Sequence, residues 1–351
     1  IKALKAKDAD ADIRCWGGGL MQAAGGYLVK HYKEMAFMGF LEVVMNLPTI
    51  FKNIRYCKND IEQFAPDAII FIDYSGFNLR IAKWAKKKGF KTNYYISPQI
   101  WASREGRIEK IKRDIDAMYV ILPFEKEFYE GKHNFPVHFV GHPLLDALHA
   151  RQPVNETLFR QKNTLDCEKP IIAVLPGSRQ QEVQKMLTLM LSIVKEFPQY
   201  EFVIAGAPSL DRDFYTPFLK GDKVEYVSNK TYTLLKHSHA AMVTSGTATL
   251  ETALFGIPQV VCYKGNWISY QIAKRIITLD YISLVNLIMK REVVKELIQN
   301  DLSTKNLKRE LSKIVGGAER ERMLSDYTLL KEKLGGKGAS ELAAKLIVKN
   351  A

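Results

Sequence analysis

Short apolar runs recur along this chain, and the stretches between them carry apolar residues at helical spacing. DAIIFID (67–73), KTNYYIS (91–97), AMYVILP (117–123) and VHFVGHP (137–143) form one set, preceded by IRCWGG (13–18). PIIAVLPGSR (170–179), EFVIAGAP (201–208), VEYVSN (224–229), AAMVTSG (240–246) and PQVVCYK (258–264) form a second. Strands that are apolar throughout must be covered on both faces, and the intervening segments, such as NLRIAKWAKKKG (78–89), supply the covering helices. That alternation predicts parallel sheets layered with helices, built twice. A length of 351 residues suits two such domains. The sequence places them at 1–160 and 161–330, with a terminal helix in 331–351 that packs back on the first. After about residue 290 the chain reads as helical and charged.

Composition narrows the function. Charged residues make up 25% and hydrophobic ones 47%, which excludes a disordered chain. No apolar run is long enough for a transmembrane helix, and IKALKAKDAD is too charged for a signal peptide. The start reads as the second half of an amphipathic helix, which suggests that a strand normally precedes it. Cys15, Cys57, Cys167 and Cys262 are scattered, as expected of reduced, buried thiols in a cytoplasmic protein. The net charge of +13 calls for an anionic partner, or marks a solvated basic face. The excess gathers at Lys83, Lys86, Lys87, Lys88 and Lys91, then at Arg104, Arg107, Lys110, Lys112 and Arg113. No nucleic-acid-binding signature accompanies it.

In open parallel sheets, ligands bind at the carboxyl ends of the strands. That rule selects Asp73, Ser97–Trp101, His142, Gly177–Arg179, Gly206 and Ser245–Thr247. In TSGTATLE (244–251), Ser245, Gly246 and Thr247 open a helix whose first amides lack partners, a natural phosphate seat. Glu251 follows on the same helix, where its carboxylate could take sugar hydroxyls. The other reading is an N-cap and a solvent-facing acid. In LPGSR (175–179), Gly177, Ser178 and Arg179 repeat the arrangement with a guanidinium suited to a diphosphate. Neither is a Walker loop, and no GxGxxG occurs. In FIDYSGFN (71–78), Asp73 is either a general base in a cleft or an Asx-turn acid, and Asn78 is a candidate helix cap. Histidines and acid-x-acid triplets are not placed for metal at these strand ends. Leu41, Val44, Leu47 and Phe51 fall at helical spacing within 35–56. They make either a core helix or a greasy contact, and Pro48 suggests a bent, partly exposed element.

FIDYSGFN, YYISPQIWAS, LPFEKEFY, FVGHPLLD, LPGSRQQEV, TSGTATLE and DYISLVNLI occur in the order seen in lipid-A-disaccharide synthases, which the chain resembles over nearly its whole length. The resemblance implies an inverting, metal-independent glycosyltransferase with two facing Rossmann-like domains, the GT-B arrangement, and no cofactor. The substrates it implies are UDP-2,3-diacylglucosamine and 2,3-diacylglucosamine 1-phosphate, and the product a β-1,6-linked disaccharide 1-phosphate. It implies UDP on Gly177, Ser178, Arg179, Ser245, Gly246, Thr247 and Glu251, with Asn286 near the nucleotide. Asp73 is then the group that deprotonates the acceptor hydroxyl, and Arg179 the stabiliser of the departing diphosphate. Leu41, Val44, Leu47 and Phe51 become acyl or membrane contacts. Location is expected on the cytoplasmic face of the inner membrane, against anionic lipid, with association as a homodimer and no nucleic acid. Family members begin with a strand and a Gly-Glu-x-Ser-Gly-Asp loop ahead of IKALK, so the first domain is expected to lack its first strand. The rival readings are a UDP-sugar 2-epimerase of related fold and a basic nucleic-acid-binding module.

Overall fold

Strands β7 (Ile171–Leu175) and β8 (Glu201–Gly206) are buried along their whole length, as continuous apolar runs require. They belong to a computed structural model that describes residues 1–35, 46–151, 154–219, 224–265 and 280–351. The chain divides into two units: Ile1–Ala147 with Leu334–Ala351, and Leu148–Lys333.

In the second unit, β7 and β8 join β9 (Val224–Ser228), β10 (Ser238–Thr244), β11 (Gln259–Tyr263) and β12 (Lys295–Ile298). The order is β12-β11-β10-β7-β8-β9, with all pairs parallel. The chain reverses its direction of winding between β7 and β10. Their ends therefore diverge into a crevice, the usual ligand position in such sheets. Strand β12 corrects the expectation of helix after residue 290. Lys295 and Glu296 hide the strand pattern, and as an edge strand it needs little apolar alternation.

In the first unit, β3 (Ala68–Ile72), β4 (Lys91–Tyr95), β5 (Ala117–Val120) and β6 (His138–Phe139) make a parallel sheet in sequence order. A separate parallel pair, β1 (Arg14–Gly17) and β2 (Tyr27–His31), lies earlier in the chain. Strand β2 went unread in the sequence, because YLVKH leaves its faces only half-buried. Asp60, buried on the helix Leu47–Phe64, holds β1 by accepting from Arg14 Nε at 2.7 Å and Trp16 Nε1 at 3.0 Å. The terminal helix Ala339–Asn350 belongs to this unit. Asp146 accepts from its first amides, Gly338 N at 2.7 Å and Ser340 N at 2.8 Å, while Ala343, Ala344 and Ile347 are buried.

Pro48 does not bend a helix. It occupies the first turn of Leu47–Phe64, where no amide donor is needed. Leu47 and Phe51 are 41% and 63% exposed, and Leu41 and Val44 lie outside the described residues. Cys15, Cys57 and Cys262 are buried free thiols, whereas Cys167 is exposed, against the expectation of buried thiols throughout.

Candidate functional site

The crevice of the second unit is built from two strand ends. After β7 the chain turns through Gly177, whose φ of 105° favours glycine. A Cβ there would meet Thr244 Cγ2 at 3.2 Å, so the loops after β7 and β10 touch. After β10, Gly246 caps the helix Thr247–Leu254 with a φ of 148°, and the space beside its Cα is open. Among the described residues no side chain caps the first amides of that helix, whose N-terminus carries the positive end of the helix dipole. Ser245 Oγ donates to Ile282 O at 3.1 Å, which leaves its lone pairs for a ligand donor and fixes the loop. Gly246 and Thr247 are exposed.

Arg179 is the N-cap of the helix Gln180–Leu191. Its side chain is 70% exposed, and among the described residues Nη1 pairs only with Glu182 Oε1 at 3.0 Å. An exposed pair of this kind is worth at most about 1 kcal/mol, so an incoming diphosphate can displace it. Ser178 is exposed, and its carbonyl accepts from Ser209 Oγ at 3.1 Å, which ties the loop after β8 to the loop after β7.

Glu251 is less open than an acid awaiting solvent. Its Oε1 accepts from Tyr232 Oη at 2.9 Å, and Arg151 stacks over the Tyr232 ring at 4.2 Å. Burial raises its pKa above the ordinary carboxylate value against the pull of Tyr232 and Arg151. The residue is thus held in one orientation by partners that lie far from it in the chain. A cavity of about 360 Å³ opens at the ends of β8 and β9, lined in part by Arg212, Tyr226, Ser228 and Asn229. Sequence reading passed over these residues, although VEYVSN ends at them.

Asn286 is not on the surface of this crevice. It is fully buried, and its Nδ2 donates to Val294 O and to Glu296 Oε1, both at 2.9 Å. Its Oδ1 accepts from Val293 N at 2.8 Å and Val294 N at 3.0 Å. Both amide atoms are saturated. Glu296 also accepts from Ile282 N and Ser283 N, each at 2.9 Å. Asn286 thus holds the loop that receives the Ser245 hydroxyl.

In the first unit, Asp73 stands at the end of β3, exposed, with φ of 44°, followed by Tyr74 at 37°. Two successive non-glycine residues in the left-handed region are held by specific bonds. Tyr94 Oη donates to Asp73 O, Asn78 Nδ2 donates to Asp73 O at 2.9 Å and Ile72 O at 3.0 Å, and Asp73 N donates to Ile96 O at 3.3 Å. Asn78 is therefore a brace and not a helix cap, and the helix begins earlier, at Ser75.

Glu125 was not singled out from the sequence. It is buried and accepts from Ser97 Oγ at 2.5 Å, Leu122 N at 2.9 Å, Ile121 N at 3.1 Å and Trp101 Nε1 at 3.2 Å. It pins the 97–101 loop from below, and burial raises its pKa. His142 is held neutral, since burial lowers its pKa to about 4. Its Nδ1 accepts from Leu144 N at 3.2 Å, a structural role. Among the described residues no group of three metal-binding side chains occurs.

Relatives of known kind match this architecture. The family described as Lipid-A-disaccharide synthetase matches residues 1–349. A lipid-A-disaccharide synthase of Trichlorobacter lovleyi is 37% identical over 363 residues, covering 99% of this chain and 92% of the relative. One of Coxiella burnetii is 36% identical over 351 residues, with the same coverage. Among solved structures, the UDP-GlcNAc 2-epimerase of Neisseria meningitidis bound to UDP-GlcNAc superposes with a TM-score of 0.65 at 13% identity, covering 94% of this chain and 88% of that one. The kitacinnamycin glycosyltransferase does so at 0.65 and 12%, covering 99% and 94%. At such identities the solved structures speak for the fold, which is mixed α/β with parallel sheets and shared with GT-B enzymes. The epimerase reading draws no more than that from them. The full-length match and the sequence relatives decide the matter, and the chain belongs to the lipid-A-disaccharide synthase family of glycosyltransferases.

Proposed function

We propose that the chain transfers 2,3-diacylglucosamine from its UDP derivative to 2,3-diacylglucosamine 1-phosphate, with inversion, releasing UDP. The observation that carries the residue assignment is the pair of adjoining strand ends in the second unit. Gly177–Arg179 and Ser245–Thr247 present open helix amides and a displaceable guanidinium at one crevice. UDP places its diphosphate there and its ribose on Glu251. Charge on the leaving diphosphate is then met by dipoles and Arg179, already in place before reaction. Asn286 fixes the loop beneath. Asp73, on the first unit, takes the proton of the acceptor 6-hydroxyl as it attacks the anomeric carbon. The test is formation of disaccharide 1-phosphate from defined lipid substrates. If UDP-N-acetylmannosamine accumulates from UDP-GlcNAc with no disaccharide, the epimerase reading replaces this one. Activity is expected to persist in EDTA, because helix amides and a guanidinium fill the role of a divalent ion. Loss on chelation that Mg²⁺ or Mn²⁺ restores would overturn that mechanism.

The reading extends to a membrane. Among the described residues no helix is long and apolar enough to cross one. Phe51 and Leu47 are exposed at the start of their helix, with Lys52 and Arg55 beside them. Leu20, Tyr27 and Tyr32 of the same unit are exposed as well. Trp16 and Lys30 both lie against Tyr56, which joins the β1–β2 pair to that helix. Tyr74 Oη donates to Met35 O at 2.8 Å, so Met35 lies beside the Asp73 strand end. These residues are proposed to seat acyl chains and to rest on the anionic inner face of the inner membrane. Homodimer formation belongs to the same proposal and is read by sedimentation. Changing Leu47 and Phe51 together to Ser is expected to lower binding to anionic liposomes by about 10–100-fold, since two partly inserted side chains contribute less than the roughly 1.5–3 kcal/mol that each would at full burial. The melting temperature should hold. Unchanged liposome binding, or a melting point far below the parent's, would show that the patch does not meet lipid.

A further inference from the structure

Three guanidiniums collect at the strand end that carries Asp73. Arg107 Nη1 donates to Ser75 Oγ at 2.9 Å, and Arg80 Nη1 donates to Gly76 O at 2.9 Å. Both therefore rest on the first turn of the helix Ser75–Lys87. Arg104 begins the short turn that ends in Arg107 and is exposed, with a left-handed φ of 62°. Burial, then the neighbouring charges of Arg104 and Arg80, push the Arg107 pKa below its ordinary value. Like charges are not usually brought together without an anion to hold them. Among the described residues no carboxylate forms an ion pair with any of the three. The acid nearest in sequence, Glu105, is turned away, onto Lys132 Nζ at 2.6 Å and His133 Nε2 at 2.9 Å. Several other cations of this unit are matched, among them Lys88 with Glu62, Arg113 with Asp114 and Lys86 with Asp116, and the clustering of three guanidiniums at one helix turn is what sets this group apart from the scattered lysines. No side chain crowds Gly76, so space above the turn is open.

We propose that Arg80, Arg104 and Arg107, with the first turn of the helix Ser75–Lys87, form a phosphomonoester site that takes the 1-phosphate of the acceptor sugar. The proposal rests on the glycosyl-transfer reading above and deepens it. A dianionic phosphate offers three oxygens, which suits planar donors arriving from separate elements. Tyr94 links the two functions, because it donates to the Asp73 carbonyl and feels the charges of both Asp73 and Arg107. Binding the phosphate here would orient the sugar so that its far hydroxyl meets a base on the same unit. Arg104 and Arg107 are binding residues in this scheme and take no proton.

The experiment has a binding arm and a kinetic arm. Glucosamine 1-phosphate and inorganic phosphate are titrated calorimetrically into the parent chain and into a double variant, Arg104→Gln with Arg107→Gln. Binding should weaken by about 10-fold or more, the usual consequence of losing charge-assisted bonds. In steady state the acceptor KM should rise by about 10–100-fold while the donor KM stays within about twofold. An acceptor without its phosphate should be used equally poorly by parent and variant. Arg104→Gln by itself, at an exposed side chain, should move the acceptor KM in the same direction if the double variant folds poorly. An unchanged acceptor KM, or an equal loss with the phosphate-free acceptor, would overturn the site. If instead binding to phosphatidylglycerol vesicles falls while the acceptor KM stands, the arginines serve a lipid headgroup and the proposal is wrong. A chain that binds phosphate through these arginines yet forms no disaccharide would refute the transferase reading and leave the phosphate site standing.

Discussion

Replacing Asp73 by Asn is expected to lower kcat by about 10²–10⁴-fold, the range for a removed general base. The donor KM should stay within about threefold, because the nucleotide is assigned to the other unit. Asn preserves the shape and the backbone preference, so the strained turn survives the change. That matters here. The left-handed backbone at Asp73 and Tyr74 costs roughly 1–3 kcal/mol per residue, and is offset by bonds from Tyr94, Asn78 and to Ile96. None of those bonds uses the Asp73 carboxylate. Its oxygens have no hydrogen-bond partner among the described residues, as a group reserved for a substrate proton should be placed. Asn78→Ala is the companion variant. Removing the brace should slow turnover and also lower the melting temperature, whereas Asp73→Asn should affect rate alone. If Asp73→Asn turns over within about threefold of the parent, the proton goes elsewhere. The 97–101 loop above Glu125 would then be the next place to look.

The central strands of the second unit were legible because they are buried on two faces and written in apolar residues, and β3 of the first unit because AIIFI is apolar throughout although only Phe71 of it is buried. Strand β12 was not, since an edge strand with Lys295 and Glu296 looks like helix surface. Strand β2 was missed for a similar reason, being half-covered on each side. Site positions followed from the strand-end rule, which needs only the ends of apolar runs. What those positions do with their atoms did not follow. Asn286 is written like a ligand contact in SLVNL, yet its amide is consumed by Val293, Val294 and Glu296. The partner residues lie ahead of it in the chain at no motif spacing. Tyr232 beneath Glu251, and Glu125 beneath Ser97, are likewise long-range partners that only the fold brings together. Pro48 shows the local limit: the residue that breaks a helix interior also starts one, and the sequence does not say which.

Arg179→Ala is expected to lower kcat/KM by about 10²–10³-fold, the loss seen when a donor to developing negative charge is removed. The stability cost should be small. Arg179 is an exposed N-cap whose only side-chain partner among the described residues is Glu182, three residues on, and such a pair contributes at most about 1 kcal/mol. A fall in rate without a fall in melting temperature would therefore report on the reaction and not on the helix. The size of the effect follows from position. Gly177 lets the loop after β7 lie against Thr244, and in the proposed mechanism a guanidinium two residues on acts on the same diphosphate as the amides of Gly246 and Thr247. Those amides remain in the variant, which is why the loss should stop well short of the uncatalysed rate. Arg179→Lys should recover only part of it, because an ammonium cannot grip two oxygens in a plane. Glu182→Gln provides the control. It removes the competitor for the guanidinium, and activity should stay at or above the parent level. If Arg179→Ala remains within about threefold of the parent while UDP still binds, the diphosphate is stabilised by the helix amides alone. The second-unit mechanism would then lose its cation.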